Sequence, residues 1–337
     1  MKRKFFLLLV VSFLAFTVAL AGCSKANTQS STDSANSNTV AKKLDYPTKS
    51  IDLVTAFTAG GSSDVQARIV QKYWNKNVNQ PWVFRYVTGA GGAVGFAQIA
   101  KSKPDGYEIG GVNAPHIILE PMMEGAQFSI DDYAYICQMV RDPQVLAVRK
   151  DSKFKSWNDV VAYAKANPGK LKIGTVGKWT GHGMMLLDVE DKTGIKAAQV
   201  IYKGAADQNA ALLGGEIDIM VGNVNDVMRS LDQMTIFGVA SDQRSSFLPD
   251  VPTLKEIGLD VVSDIRRGFV VPKDTNPQIV QFLRDTFQKI QNDPGYIADM
   301  KKAGQPMDYM TGPDFDKYVH SQQAYYKQLL QKYGLLK

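Results

Sequence analysis

Two glycine turns are the residues in this chain whose types and spacing bear most directly on chemistry. The first reads Phe57-Thr58-Ala59-Gly60-Gly61-Ser62-Ser63-Asp64, and the second reads Gly89-Ala90-Gly91-Gly92-Ala93-Val94-Gly95. Each follows a strand-like run and precedes a helix-like one. A helix start presents unpaired N–H groups and a partial positive charge, both favourable to an anion. Glycine lets the backbone approach a ligand with no Cβ in the way. Ser62 and Ser63 add hydroxyl donors, and one of Ser62, Ser63 or Asp64 is expected to cap the helix. A plain strand-to-helix turn has the same composition, but two such turns in succession favour an anion cradle. The second turn approaches the dinucleotide pattern G-x-G-x-x-G, yet its sixth position is Val94, so the spacing fails.

An enzyme reading has less to stand on. A hydrolase needs a nucleophile, a base and an oxyanion site within mutual reach. The sequence has no G-x-S-x-G, and its three histidines have no metal-binding spacing. His182 is expected to be the only histidine near the cleft, where its flanking Gly181 and Gly183 make it a turn or capping group. His116 and His320 are expected in unrelated surroundings, and Asp131-Asp132 reads as a turn or helix start. No catalytic residue, cofactor or metal is assigned. A secreted hydrolase of a small carboxylate ester or amide is the alternative function, and a structural lipoprotein would have no need of the turns.

The elements that must hold these turns alternate along the chain. Residues 50–57, 82–87, 107–112, 172–176, 198–203, 217–222 and 236–241 read as strands, separated by helix-sized segments such as 63–76 and 93–102. Such alternation predicts an α/β fold with mainly parallel sheets covered on both faces. The 294 residues from Leu44 onward exceed one ordinary core, so two lobes are expected. The stretch 145–149 is expected to carry the chain into the second lobe and 268–271 to carry it back. That sets lobe 1 as 44–148 plus 271–337 and lobe 2 as 149–270. A helix over 277–290, with Ile279, Val280, Phe282 and Leu283 on one side, should pack on lobe 1, and a terminal helix should begin at Gly312-Pro313-Asp314.

The first 22 residues read as an export signal: Lys2, Arg3 and Lys4, then an apolar run closing on Leu20-Ala21-Gly22-Cys23. The run is short for a membrane span, and Cys23 is the expected lipidation site, followed by a polar tether to residue 43. The folded part is then extracytoplasmic, held on the cell-surface or periplasmic side of a membrane. Losing the signal takes the formal charge from +6 to +3, which offers no basic surface for nucleic acid. Cys137, among Tyr135, Ile136, Met139 and Val140, is expected to be a buried thiol.

Taken together, these motifs resemble the substrate-binding proteins of tripartite tricarboxylate transporters, the Bug or TctC-like family. The likeness is carried by Tyr46-Pro47-Thr48-Lys49, the two glycine turns, Pro104-Asp105-Gly106-Tyr107 and Pro168-Gly169-Lys170-Leu171. It continues through Tyr202-Lys203-Gly204-Ala205-Ala206, Leu213-Gly214-Gly215-Glu216-Ile217-Asp218 and Leu248-Pro249-Asp250-Val251-Pro252-Thr253. The resemblance implies a two-lobed periplasmic-binding-protein (Venus-flytrap) fold that closes over a small organic anion without altering it. It also implies membrane permease subunits as partners and a monomeric receptor.

Carried over, one ligand carboxylate is held by the stretch from Ala59 to Asp64 and by Gly89, Ala90, Gly91, Gly92 and Ala93, with Phe57 as an apolar wall beside Thr58. Lobe 2 contributes Trp179, Thr180 and His182, then Lys203, Gly204 and Ala205, and Asn223. The chain departs from the pattern at Ala59, Lys178, Trp179, Asp207 and Arg266. Trp179 either narrows the cleft or points to solvent. Arg266 either pairs with a second carboxylate or serves as a solvated or interlobe arginine. The ligand stays open among tricarboxylates, C4 dicarboxylates, amino acids and aromatic acids.

Overall fold

The computed structural model describes residues 44–336 apart from 124 and 126. The expected signal segment, Cys23 and the tether lie outside the described residues. Strands and helices alternate as β1 (Ile51–Thr55), α1 (Ser62–Asn77), β2 (Trp82–Tyr86), α2 (Ala93–Lys101), β3 (Glu108–Ala114) and α3 (His116–Leu119). The long strand β4 (Tyr133–Arg149) follows, then α4 (Trp157–Ala166), β5 (Lys172–Thr175), α5 (Gly181–Thr193), β6 (Ala198–Ile201), α6 (Ala205–Gly214), β7 (Ile219–Asn223), α7 (Val224–Met228) and β8 (Met234–Val239). The chain ends with β9 (Asp264–Pro272), α8 (Pro277–Gln291), α9 (Pro294–Lys302), β10 (Met307–Thr311) and α10 (Gly312–Lys332).

The strands run in the order β2-β1-β3-β9-β4-β7-β5-β6, with β8 and β10 also paired to β4. Two sheets meet on β4. Its first part, through Pro143, pairs antiparallel with β9, and its last part, from Gln144, pairs antiparallel with β7 and β8. The parallel pairs expected from strand–helix alternation are present at the outer ends, where β1 lies between β2 and β3 and β5 lies between β6 and β7. The centre is antiparallel, so both sheets are mixed. The reason is topological: β4 leaves the first sheet and β9 returns to it, and a chain that goes out and back pairs antiparallel with itself.

Alternation along the strands gives each sheet two buried faces. Leu53 joins Ile109, Trp74 and Phe287 in one cluster, while Val54 joins Val112, Phe96 and Val270 in another. In the second sheet Leu146 and Val148 face Trp157 and Val189, and Val145 and Ala147 face Leu212 and Val224. Helix α8 buries Ile279, Val280, Leu283, Phe287 and Ile290 against the first sheet, and Cys137 is wholly buried there. Asn276 caps this helix and Pro277 occupies its first turn, a residue that needs no N–H partner at that position.

Candidate functional site

A cavity with about 320 Å³ of empty space, part of it open to solvent, lies where the two sheets' helix starts converge. From the first sheet's side come Phe57, Gly61, Ser62, Ser63, Asn113 and His116; from the second come Val176, His182, Ala205, Asn223 and Asp226. Ile265 and Arg267 of β9 complete the lining. Helix α1 begins on Gly61, which has no side chain to cap it. The first-turn N–H groups of Ser62 and Ser63 therefore lack an intrahelical acceptor. Helix α6 likewise begins on uncapped Gly204, and α5 begins just before His182 on Thr180, whose hydroxyl accepts from the Gly183 N–H. Three helix starts thus turn their partial positive charge toward one small space.

Arg267 supplies the formal positive charge. One terminal nitrogen of its guanidinium (Nη1) donates to Asp142 at 2.8 Å in a pair almost wholly removed from solvent. Burial pushes Asp142 up to about 7, against the opposing pull of Arg267. The Nε–H of Arg267 is buried with no hydrogen-bond partner, as are Nδ1 of His116 and Nδ1 of His182. Burial pushes His182 down to about 4 and holds His116 well below the usual imidazole range, with Arg267 adding to both effects. Both rings are therefore neutral at physiological pH. The Asp226 carboxylate accepts from the main-chain N–H of Asn223 at 3.0 Å, from Asn223 Nδ2 at 2.7 Å and from the Ser62 hydroxyl. Buried polar atoms normally find partners, so unpaired Nε and Nδ1 atoms around one cavity mark a space shaped for a polar guest.

The sequence-derived residues divide into three groups. Phe57, Gly61, Ser62, Ser63, His182, Ala205 and Asn223 share the cavity. Gly89, Ala90, Gly91 and Gly92 do not; they line a separate cavity of about 740 Å³ with Glu120, Lys178, Trp179 and Lys203. The two glycine turns thus serve neighbouring spaces that have Val176 in common. Trp179 is half-buried there, among Leu119, Met184 and Leu330, with Lys178 Nζ 4.6 Å above its ring. Ala93 opens α2 behind this turn.

The remaining residues are structural in this conformation. Asp64 receives the Gly60 N–H at 2.8 Å and the Tyr86 hydroxyl at 2.7 Å and pairs with Arg68 at 3.0 Å. Ala59 is exposed, and Thr58 abuts Gly204, leaving no room for a Cβ on that glycine. Thr180 is the α5 cap.

The structure differs from two expectations and decides between the two alternatives for Arg266. Helix α1 starts on Gly61, so none of Ser62, Ser63 or Asp64 is its N-cap. Arg266 is not the arginine of this cavity: it pairs with Asp264 at 3.4 Å, lies 4.1 Å over the Tyr318 ring and borders a different hollow. Successive residues of a strand point to opposite faces, so Arg267 takes the place. His116 is not in unrelated surroundings either, since its ring centroid stands 6.4 Å from that of His182. His320 is remote from both, paired with Asp131 at 2.9 Å. Asn113 and Arg267 had no local signal. The Asn-x-x-Asp spacing of Asn223 and Asp226 is a capping-box pattern that could have flagged that pair.

No serine in the cavity is paired with a histidine among the described residues. Ser62 donates to Asp226, and Ser63 donates to Asn113 Oδ1 at 3.2 Å. The geometry is that of a two-lobed α/β solute-binding protein. Comparison with known proteins agrees, and the chain belongs to the tripartite tricarboxylate transporter family receptors, whose pattern it matches over residues 66–335. It is 31% identical over 294 residues to a Cupriavidus necator protein described as the UPF0065 protein in gbd 5'region, covering 87% of this chain and 90% of that one. Bordetella pertussis protein BugT is 28% identical over 244 residues, covering 71% and 75%. The structure of periplasmic binding protein BugD superposes with a TM-score of 0.81 at 25% identity, covering 87% of this chain and all of BugD. Membership of this family places the folded part outside the cytoplasm.

Proposed function

We propose that the protein captures a small organic carboxylate in the cavity between the starts of α1, α5 and α6 and delivers it to membrane permease subunits. A lipid on Cys23 tethers it to the membrane on the cell-surface or periplasmic side. Lobe 1 comprises 44–148 plus 271–337 and lobe 2 comprises 149–270, with the hinge in β4 around Pro143 and in the approach to β9. Closure brings Thr58 against Gly204 and Ser62 against Asp226, so the bound solute is sealed from water by the same contacts that define the closed shape.

The observation that carries this reading is the unpartnered Arg267 Nε among uncapped helix starts. A carboxylate fits because each of those groups is a donor. Native mass spectrometry of the freshly purified chain tests it. The expected result is a mass increment matching a small carboxylic acid, released intact on denaturation. Recovery of a cleaved product from an added ester or amide would favour the hydrolase instead.

A further inference from the structure

The cavity wall holds a buried carboxylate that no cation balances. Asp226 is fully buried, and no Lys, Arg or His nitrogen lies within salt-bridge distance of it among the described residues. The nearby Arg267 is committed to Asp142 instead. A carboxylate offers about four lone-pair directions, of which Asn223 and Ser62 fill three.

The chain of contacts from Asp226 also fixes its neighbours. Because Asn223 Nδ2 donates to Asp226, its Oδ1 faces His182 as an acceptor, and His182 Nε2 lies 3.4 Å from it. His182 Nε2 therefore carries the ring proton, and Nδ1 is left as a buried lone pair with nothing to accept from. Around one small space the protein thus sets amide and guanidinium donors beside two acceptors that are short of a donor.

We propose that the solute is an α-amino acid, with its carboxylate on the α1 amides and Arg267 Nε and its ammonium on Asp226 and His182 Nδ1. The inference rests on the receptor reading above and narrows its ligand. Spacing selects the α position: Ser62 lines the cavity as the first residue of α1, where the main-chain N–H has no intrahelical acceptor, while its hydroxyl touches Asp226. Donor and acceptor subsites are therefore about one residue apart, as carboxylate and amine are on a single carbon. A dicarboxylate or tricarboxylate without an amine would set a second negative charge against Asp226, where the like-charge contact opposes binding. Neutral His182 adds an acceptor without adding charge, which suits an ammonium and does nothing for a carboxylate.

Calorimetric titration of the purified full chain with matched sets tests this: aspartate, malate and succinate, and alanine, lactate and propionate. In at least one set the amino form should bind tenfold or more tightly than its des-amino partner, with the hydroxy acid between. Asp226→Asn should cost the amino form at least tenfold and leave the des-amino form equal or tighter. Should that variant not fold, His182→Phe removes the acceptor while keeping the ring, and it should weaken the amino form selectively. Des-amino acids binding as tightly as amino acids throughout would overturn the ammonium subsite yet leave the carboxylate receptor standing. No binding by any of the six, with a different class of molecule co-purifying, would remove both.

Discussion

Replacing His182 by glutamine should change how stability depends on pH, by an amount the burial of the ring sets. The imidazole is held at about 4 against an ordinary 6.5, chiefly by burial. That depression corresponds to about 3 kcal/mol, since one unit of pKa is about 1.4 kcal/mol. In the unfolded chain the ring takes up a proton as the pH falls through about 6.5, while in the folded protein it resists until about 4. The contribution is therefore complete above about pH 6.5 and is lost progressively as the pH falls through 4. Asp142 acts in the opposite sense, because its folded value of about 7 makes stability decline as the pH rises toward 7. A direct comparison of wild type with His182→Gln cancels that term to first order. Urea unfolding at half-unit steps from pH 7.5 to 4 gives the two curves. The stability difference between wild type and variant should move by about 3 kcal/mol in the variant's favour between pH 7 and pH 4. A difference that stays constant across the range would refute a buried neutral imidazole at this position and with it the acceptor assigned to Nδ1.

Arg267→Met should weaken carboxylate binding by about 10- to 100-fold, as expected for loss of a charge-assisted hydrogen bond worth about 1.5–3 kcal/mol, measured by calorimetry. Arg266→Gln, on the adjacent residue but in a different hollow, should alter the dissociation constant less than about twofold, which is within ~0.4 kcal/mol. Gly204→Val should block closure, because even a Cβ there would stand 2.9 Å from the Thr58 main-chain nitrogen; small-angle scattering should show no ligand-induced compaction while the circular dichroism stays native. Phe287→Ala should cost about 3–5 kcal/mol of stability, since the ring is wholly buried with its centroid 4.7 Å from Phe269, and should leave affinity unchanged at temperatures where the protein is folded.

Much of the scaffold was legible because its signals are local. Helix α1 begins within a residue of the expected position, since the Gly-Gly turn and the polar residues after it mark a helix start by backbone chemistry alone. Helix α8 was legible for the same kind of reason, with Pro277 opening it and Ile279, Val280 and Leu283 spaced to form one buried stripe, while Phe282, read on the same side, is only partly buried. What could not be read was parity and convergence. Whether Arg266 or Arg267 faces the cavity depends on the register of β9 between β3 and β4, which pairs Arg267 with Asn113 and with Val140. That register is a tertiary fact, and a shift of one residue would exchange the two side chains. His116 and His182, 66 positions apart in the chain, meet only because their helices start at facing sheet ends. The antiparallel centre was hidden because strand–helix alternation reports the crossovers and not a strand that leaves one sheet and returns from another.

A crystal structure of the chain with the solute it carries on purification tests the central claim most directly. The account predicts a carboxylate with oxygens at about 2.7–3.2 Å from the Ser62 and Ser63 amides and from Arg267 Nε. A solute seated instead against Gly89–Gly92 and Trp179, with the smaller cavity left to water, would contradict it.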